Sequence, residues 1–267
     1  MSIGKALTAF MVFAVFISFS GCDSTSGGFG GFNLYPVSED IKLGLQVSKQ
    51  IESDPAQFPI LPEQGNQEIY AYVRGIRDKI LNSGQVRFKD TFKWELKIID
   101  DKETLNAFVT PGGYIYVYLG LINFLESEDQ LAGVLGHEIA HADRRHSTRQ
   151  MSQSGLMGTL GQAVLGNESA VQQVVNGLVS LKFSRSHESE ADAYSVNYLC
   201  GTEYNASGAA GFFRKIENSS GRPPEFLSTH PNPTNRVENI EAKSVELNCT
   251  GTTTNQTAYS RIKRLIN

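Results

Sequence analysis

The stretch His137-Glu138-Ile139-Ala140-His141 constrains this chain more than any other. Two imidazoles four residues apart share one face of a helix and can converge on one metal ion. Leu131, Val134 and Leu135 supply an apolar face, and Ser127 with Gln130 reads as a capping box, so the spacing predicts a helix from about Ser127 into the 140s. Glu138, beside both histidines, is placed to handle the proton of a metal-activated water. So short a pattern also arises by chance, and two solvated histidines on a charged helix are the alternative.

A catalytic zinc takes three protein ligands and keeps a fourth position for water, so a third ligand decides between these readings. Ser184 to Ala193 holds Glu188 and Asp192 at i, i+4 on a second predicted helix. Glu188 is the candidate third ligand, and Asp192 the candidate acceptor for the free N–H of a ligating histidine. A solvated acidic face is the competing reading. His187 and Glu190 are rival ligands, but each points away from the Glu188/Asp192 direction on a 3.6-residue helix.

Four motifs in this order, Asn106-Ala107-Phe108-Val109-Thr110-Pro111-Gly112-Gly113, His137-Glu-x-x-His141, Ser184-Arg185-x-x-Glu188-x-x-Ala191-Asp192, and Thr229-His230-Pro231 followed by Arg236, together resemble peptidase family M48 from roughly Val37 to Lys243. The likeness is greatest to that family's soluble and lipid-anchored periplasmic members. It implies an α+β fold, a mainly helical gluzincin-type metalloprotease domain with a small sheet next to the zinc helix. It further implies one zinc ion per chain, with His137, His141 and Glu188 as ligands and Glu138 as catalytic base. Polypeptides would be the substrates.

His230 has three possible roles: oxyanion stabiliser, reversible fourth zinc ligand, or cap of the following helix. The resemblance implies a histidine of this segment that closes the zinc site, with Arg236 anchoring its loop. His146, five residues beyond His141, is expected on the surface.

Around the motifs, Ile69, Val73, Ile76 and Ile80 repeat with helical period, and Trp94, Leu96 and Ile98 alternate as a strand. Two further strands are predicted across Asn106 to Thr110 and Tyr114 to Tyr118, joined by the Pro111-Gly112-Gly113 turn. An open edge at Asn106 and Ala107 can take a substrate as an added strand through backbone hydrogen bonds, which predicts weak sequence preference. Leu156 to Phe183 reads either as a buried helical hairpin or as an apolar lid, with too many polar interruptions for a membrane span.

At the N-terminus, Lys5 precedes an apolar run from Ala6 to Phe19, and Ser20-Gly21 lead into Cys22. This is read as a bacterial lipoprotein signal over residues 1–21, with Cys22 lipidated and a glycine- and serine-rich tether to residue 33. A plain secretory peptide is the alternative. The expected location is the cell envelope, lipid-anchored and facing the periplasm, with either membrane possible. Residues 34–267 are expected to form one domain, since no linker interrupts them.

Loss of Lys5 with the signal takes the formal charge from −4 to −5, which gives no footing for nucleic acid. Cys200 and Cys249 then remain as an exported pair and are expected to form a disulfide. The functional expectation is an endopeptidase that removes unfolded or misassembled envelope proteins, the alternative being a chaperone or assembly scaffold with little hydrolysis. Glu138 favours the enzyme, because a scaffold has no chemical need for a carboxylate there.

Overall fold

The computed structural model describes residues 33–218 and 224–267. The expected signal segment, Cys22 and nearly all of the expected tether lie outside the described residues.

The helix that carries the two histidines, α4 (Glu128–Asp143), is buried on every side except at Gln130. A helix with no solvated face is a core helix, and the rest of the domain is wrapped on it. Its small residues decide how closely. A Cβ on Gly133 would sit 2.3 Å from the backbone nitrogen of Ala209 in α9 (Gly208–Glu217), and one on Gly136 would sit 2.7 Å from Ser195 Oγ in α8 (Arg185–Cys200). Both helices therefore pack directly against the α4 backbone, and Ser195 Oγ donates to the Gly133 carbonyl at 2.8 Å.

Ser127 is the N-cap of α4, as the sequence predicts, but no capping box forms. The Ser127 hydroxyl bonds the Asp129 carboxylate, and Gln130 Oε1 accepts from the amide of Glu126 at 3.0 Å. The side-chain orientation that lets the hydroxyl donate to this charged acceptor makes no bond to the first-turn amides. Glu128 and Asp129 still place negative charge at the positive end of the helix.

Three strands form one sheet in the order β1 (Glu95–Ile99), β3 (Tyr114–Tyr118), β2 (Ala107–Thr110). β3 runs parallel to β1 and antiparallel to β2, with Ala107 opposite Val117 and Thr110 opposite Tyr114. The expected turn joins β2 to β3, with Gly112 and Gly113 at φ 75° and 86°, where a side chain would be strained. Every residue of β3 is buried because both its faces are covered. Ile115 and Val117 join a core with α2 (Gln67–Leu81) and α4, to which α2 contributes Ile69, Val73, Ile76 and Ile80. Tyr114, Tyr116 and Tyr118 face a second core with Leu43 and Val47 of α1 (Val37–Glu52).

That second core also takes Leu160 of α6 (Met157–Val164) and Val171, Val174 and Val175 of α7 (Glu168–Val179). The Leu156–Phe183 interval is thus a helical hairpin with a buried face. β2 occupies an edge of the sheet and packs against α4, the helix that carries the histidines. No helix among the described residues is long and apolar enough to cross a membrane. Cys200, the last residue of α8, is disulfide-bonded to Cys249, as expected.

Candidate metal centre and active site

α4 brings His137, Glu138 and His141 to one buried point. α8 packs along it and brings Glu188 and Asp192, its N-terminus fixed by Ser184 Oγ accepting from the His187 amide at 3.1 Å. His230 ends the short helix α10 (Phe226–Thr229), and Arg236 opens α11 (Arg236–Glu246). His137, His141, Glu188 and His230 each offer a ligand atom, all within 4.8 Å of one another and all buried. His137 Nε2 lies 2.9 Å from His141 Nε2 and 3.3 Å from His230 Nδ1. Glu188 Oε1 lies 3.1 Å from His230 Nδ1 and 3.3 Å from His141 Nε2. Tetrahedral bonds of about 2.0–2.1 Å separate donors by about 3.3 Å, so the donor set fits a zinc-sized ion.

Around these four atoms the charges are fixed from behind. Asp192 Oδ1 lies 2.9 Å from His137 Nδ1. Arg236 Nη2 donates to Asp192 Oδ1 at 2.7 Å and to Glu188 Oε2 at 3.1 Å, and its guanidinium sits 3.8 Å over the Phe213 ring. Arg236 is therefore a clamp on both α8 carboxylates as well as the start of α11.

Burial pushes the Glu188 carboxyl up, but the charges of His230 and His137 outweigh it and hold it well below the usual range. Burial likewise works against a charged His137, yet its bonds to Asp192 and Glu188 raise it to about 9. Burial drives His141 well down, helped by the charge on His137 beside it. Glu138 is pushed up by burial. Its Oε1 has no hydrogen-bond partner among the described residues and lies 3.4 Å from His230 Nε2.

Glu138 and His230 line a narrow cleft together with Asn106, Phe108, Leu178 and Phe183. Its free volume is about 10 Å³, room for about one water. Asn106 Oδ1 is buried there without a partner, whereas Ala107 sits within the ladder opposite Val117. Phe183 packs its ring on His141, with centroids 4.0 Å apart, and its amide donates to the Thr229 carbonyl at 3.1 Å. The end of the α6–α7 hairpin thus covers the cleft.

One residue falls elsewhere than the sequence suggests. His146, expected on the surface, is fully buried, and its Nδ1 lies 3.0 Å from His141 Nδ1. α4 ends at Asp143, and Arg145 takes the left-handed conformation at φ 59°, so the 3.6-residue extrapolation fails and α5 (His146–Gln153) turns back toward the site. His230 does not cap the next helix, whose N-cap is Asn235. Phe183 gave no sequence signal. Glu190 does point away from the donor set, and pairs with Arg144, His146 and Arg149. That pairing offered the one available hint, since a buried acid beside a ligand needs cationic partners and Arg144 and Arg149 flank His146.

The family model described as Peptidase family M48 matches residues 70–244. The chain is 32% identical over 213 residues to the mitochondrial metalloendopeptidase OMA1 of Schizosaccharomyces pombe, covering 74% of this chain and 61% of that protein. It is 30% identical over 145 residues to the metalloprotease YcaL of Escherichia coli, covering 51% of this chain and 57% of that one. It is 26% identical over 164 residues to the beta-barrel assembly-enhancing protease of the same species, covering 55% of this chain and 34% of the relative. The chain therefore corresponds to only part of the length of each.

Proposed function

Since this chain belongs to peptidase family M48, we propose that it is a zinc-dependent endopeptidase whose ligands are His137, His141 and Glu188 and whose base is Glu138. The observation that carries this reading is the buried four-donor cluster with the Glu138 carboxylate beside it, whose Oε1 takes no hydrogen bond among the described residues. His137, His141 and Glu188 would hold a zinc ion, which when bound would supply Lewis-acid polarisation of the scissile carbonyl and a lowered pKa for the attacking water. The remaining work belongs to the chain. Glu138 Oε1 takes the proton of the attacking water and passes it to the leaving amine, and burial raises its basicity for that exchange. Asp192 holds the His137 ring through Nδ1, and Arg236 Nη2 holds both α8 carboxylates in place by donating to each. The open edge of β2, from Ala107 onward, holds the substrate as an added strand through main-chain bonds that ask little of its sequence, while the expected contribution of Asn106 is limited to its side chain because its carbonyl accepts from the Tyr118 amide at 3.1 Å. His230 is a reversible fourth ligand that keeps the resting site closed.

The substrate class we infer is unfolded or misassembled envelope protein, cleaved by an enzyme anchored through Cys22 and facing the periplasm. The assembly role in the name of one relative supports this, as does the lipoprotein-like N-terminal segment. A pure scaffold would leave the buried Glu138 without purpose. The test is metal content and casein cleavage of the purified protein, with and without a chelator. Bound zinc and chelator-sensitive cleavage are expected, and cleavage indifferent to the chelator would overturn the reading.

A further inference from the structure

The two histidines of α4 are held from behind in different ways. His137 Nδ1 meets a carboxylate directly, but His141 Nδ1 meets another imidazole, His146 Nδ1, at 3.0 Å. Of two facing ring nitrogens, one must carry a hydrogen and the other must accept it. His141 turns Nε2 toward the donor cluster, 3.3 Å from Glu188 Oε1. A nitrogen that gives its lone pair to a metal carries no hydrogen, so the hydrogen of His141 sits on Nδ1 and His146 Nδ1 accepts it. A neutral His146 then carries its own hydrogen on Nε2, which lies 3.3 Å from Glu190 Oε2.

Glu190 is fixed in turn. Arg144 Nε donates to its Oε1 at 2.8 Å and Arg149 Nη1 to its Oε2 at 3.3 Å. The His146 ring has no freedom to reorient: it is fully buried and stacks on His187, with centroids 4.5 Å apart and planes 13° from parallel. The backbone that turns it inward is the left-handed Arg145, whose side chain is held by the Asp40 carboxylate and the Tyr35 carbonyl. Such a conformation costs a non-glycine residue of order 1 kcal/mol and persists only where its surroundings enforce it.

We propose that His146 is a positioning residue for His141, fixing that ring's tautomer and direction, and that Glu190 fixes His146 in the same way through the opposite nitrogen. The proposal rests on the reading of His141 as a metal ligand. It makes the outer support of the site unequal, with a carboxylate behind His137 and a carboxylate acting through an imidazole behind His141. Removing such a partner typically weakens metal binding by about 10- to 100-fold.

The experiment measures zinc affinity of the full chain by competition with a chromophoric chelator, for the wild type, His146→Leu and His146→Gln. His146→Leu is expected to lose about 10- to 100-fold. His146→Gln is expected to recover most of it, because its carbonyl can accept from His141 Nδ1 while its amide donates to Glu190; a merely space-filling role would favour neither. Nitrogen-15 imidazole spectra of the zinc-loaded wild type give a second readout that needs no variant. They are expected to show the hydrogen on Nδ1 of His141 and on Nε2 of His146. Equal affinity in all three proteins, or a hydrogen on His146 Nδ1, would overturn the relay. A wild type that binds no zinc would instead overturn the ligand assignment, and the relay with it.

Discussion

At the residue scale, Glu138 and Glu188 are both buried carboxylates within one site, yet their surroundings divide them. Glu188 is surrounded by donors and cations, whereas Glu138 Oε1 has no hydrogen-bond partner. Glu138→Gln should therefore keep bound zinc and lower hydrolysis by about 10²- to 10⁴-fold, read from metal analysis beside casein turnover. Glu188→Ala should empty the site, while Glu190→Ala should leave zinc in place when metal is supplied in excess, because Glu190 lies behind His146 and not among the donors. Metal content of the two purified variants distinguishes them, and the reverse pattern would refute the ligand order. His230→Ala should raise cleavage of an unfolded substrate if the imidazole closes the site; an oxyanion donor removed in the same way would cost about 10²- to 10³-fold. The sequence made these residues legible because i, i+4 spacing is a property of one helix and survives any packing. It hid His146 because a single left-handed residue, Arg145, redirects everything after it, and nothing in its side chain announces that conformation.

At the scale of elements, α4 depends on having no bulk where α8 and α9 cross it. Gly133→Ala would drive a methyl into the Ala209 backbone, which cannot rotate away, and should cost about 1–3 kcal/mol. Gly158→Ala in α6 meets nothing within 4 Å and should be neutral or stabilise by up to about 1 kcal/mol. Thermal melts of both variants check the pair, and equal shifts would contradict the close crossing. The strands were legible in place and length, since alternation and the Pro111-Gly112-Gly113 turn are local signals. Their order was not. The parallel pairing of β1 with β3 rests on which faces α2 and α1 cover, and Tyr-Ile-Tyr-Val-Tyr reads as a strand without saying that both of its faces are buried. The capping box failed for a related reason, since Ser127 found a carboxylate two residues away that the pattern does not weigh.

At the scale of the whole molecule, the Cys200–Cys249 bond ties the end of the helix carrying Glu188 to the C-terminal segment. Cys249→Ser should lower stability by about 2–4 kcal/mol, given the 49-residue separation it closes, while leaving zinc bound, because Glu188 lies three turns away on α8. Denaturant titration with parallel metal analysis tests both halves; unchanged stability would remove the bond from any structural role. The cleft has a further consequence for rate. Under the proposed activity a substrate strand needs more room than the roughly 10 Å³ free beside Glu138, and Leu178 and Phe183 are among the side chains that would have to yield. Turnover would then be the chemical rate multiplied by the fraction of molecules standing open, and each 1.4 kcal/mol holding the hairpin end down would cost a factor of ten. A folded passer-by offers nothing to replace those apolar contacts, whereas a chain with exposed hydrophobic side chains does. Under the proposed function, discrimination between folded and unfolded substrates would then reside in an opening equilibrium rather than in any pocket that reads sequence.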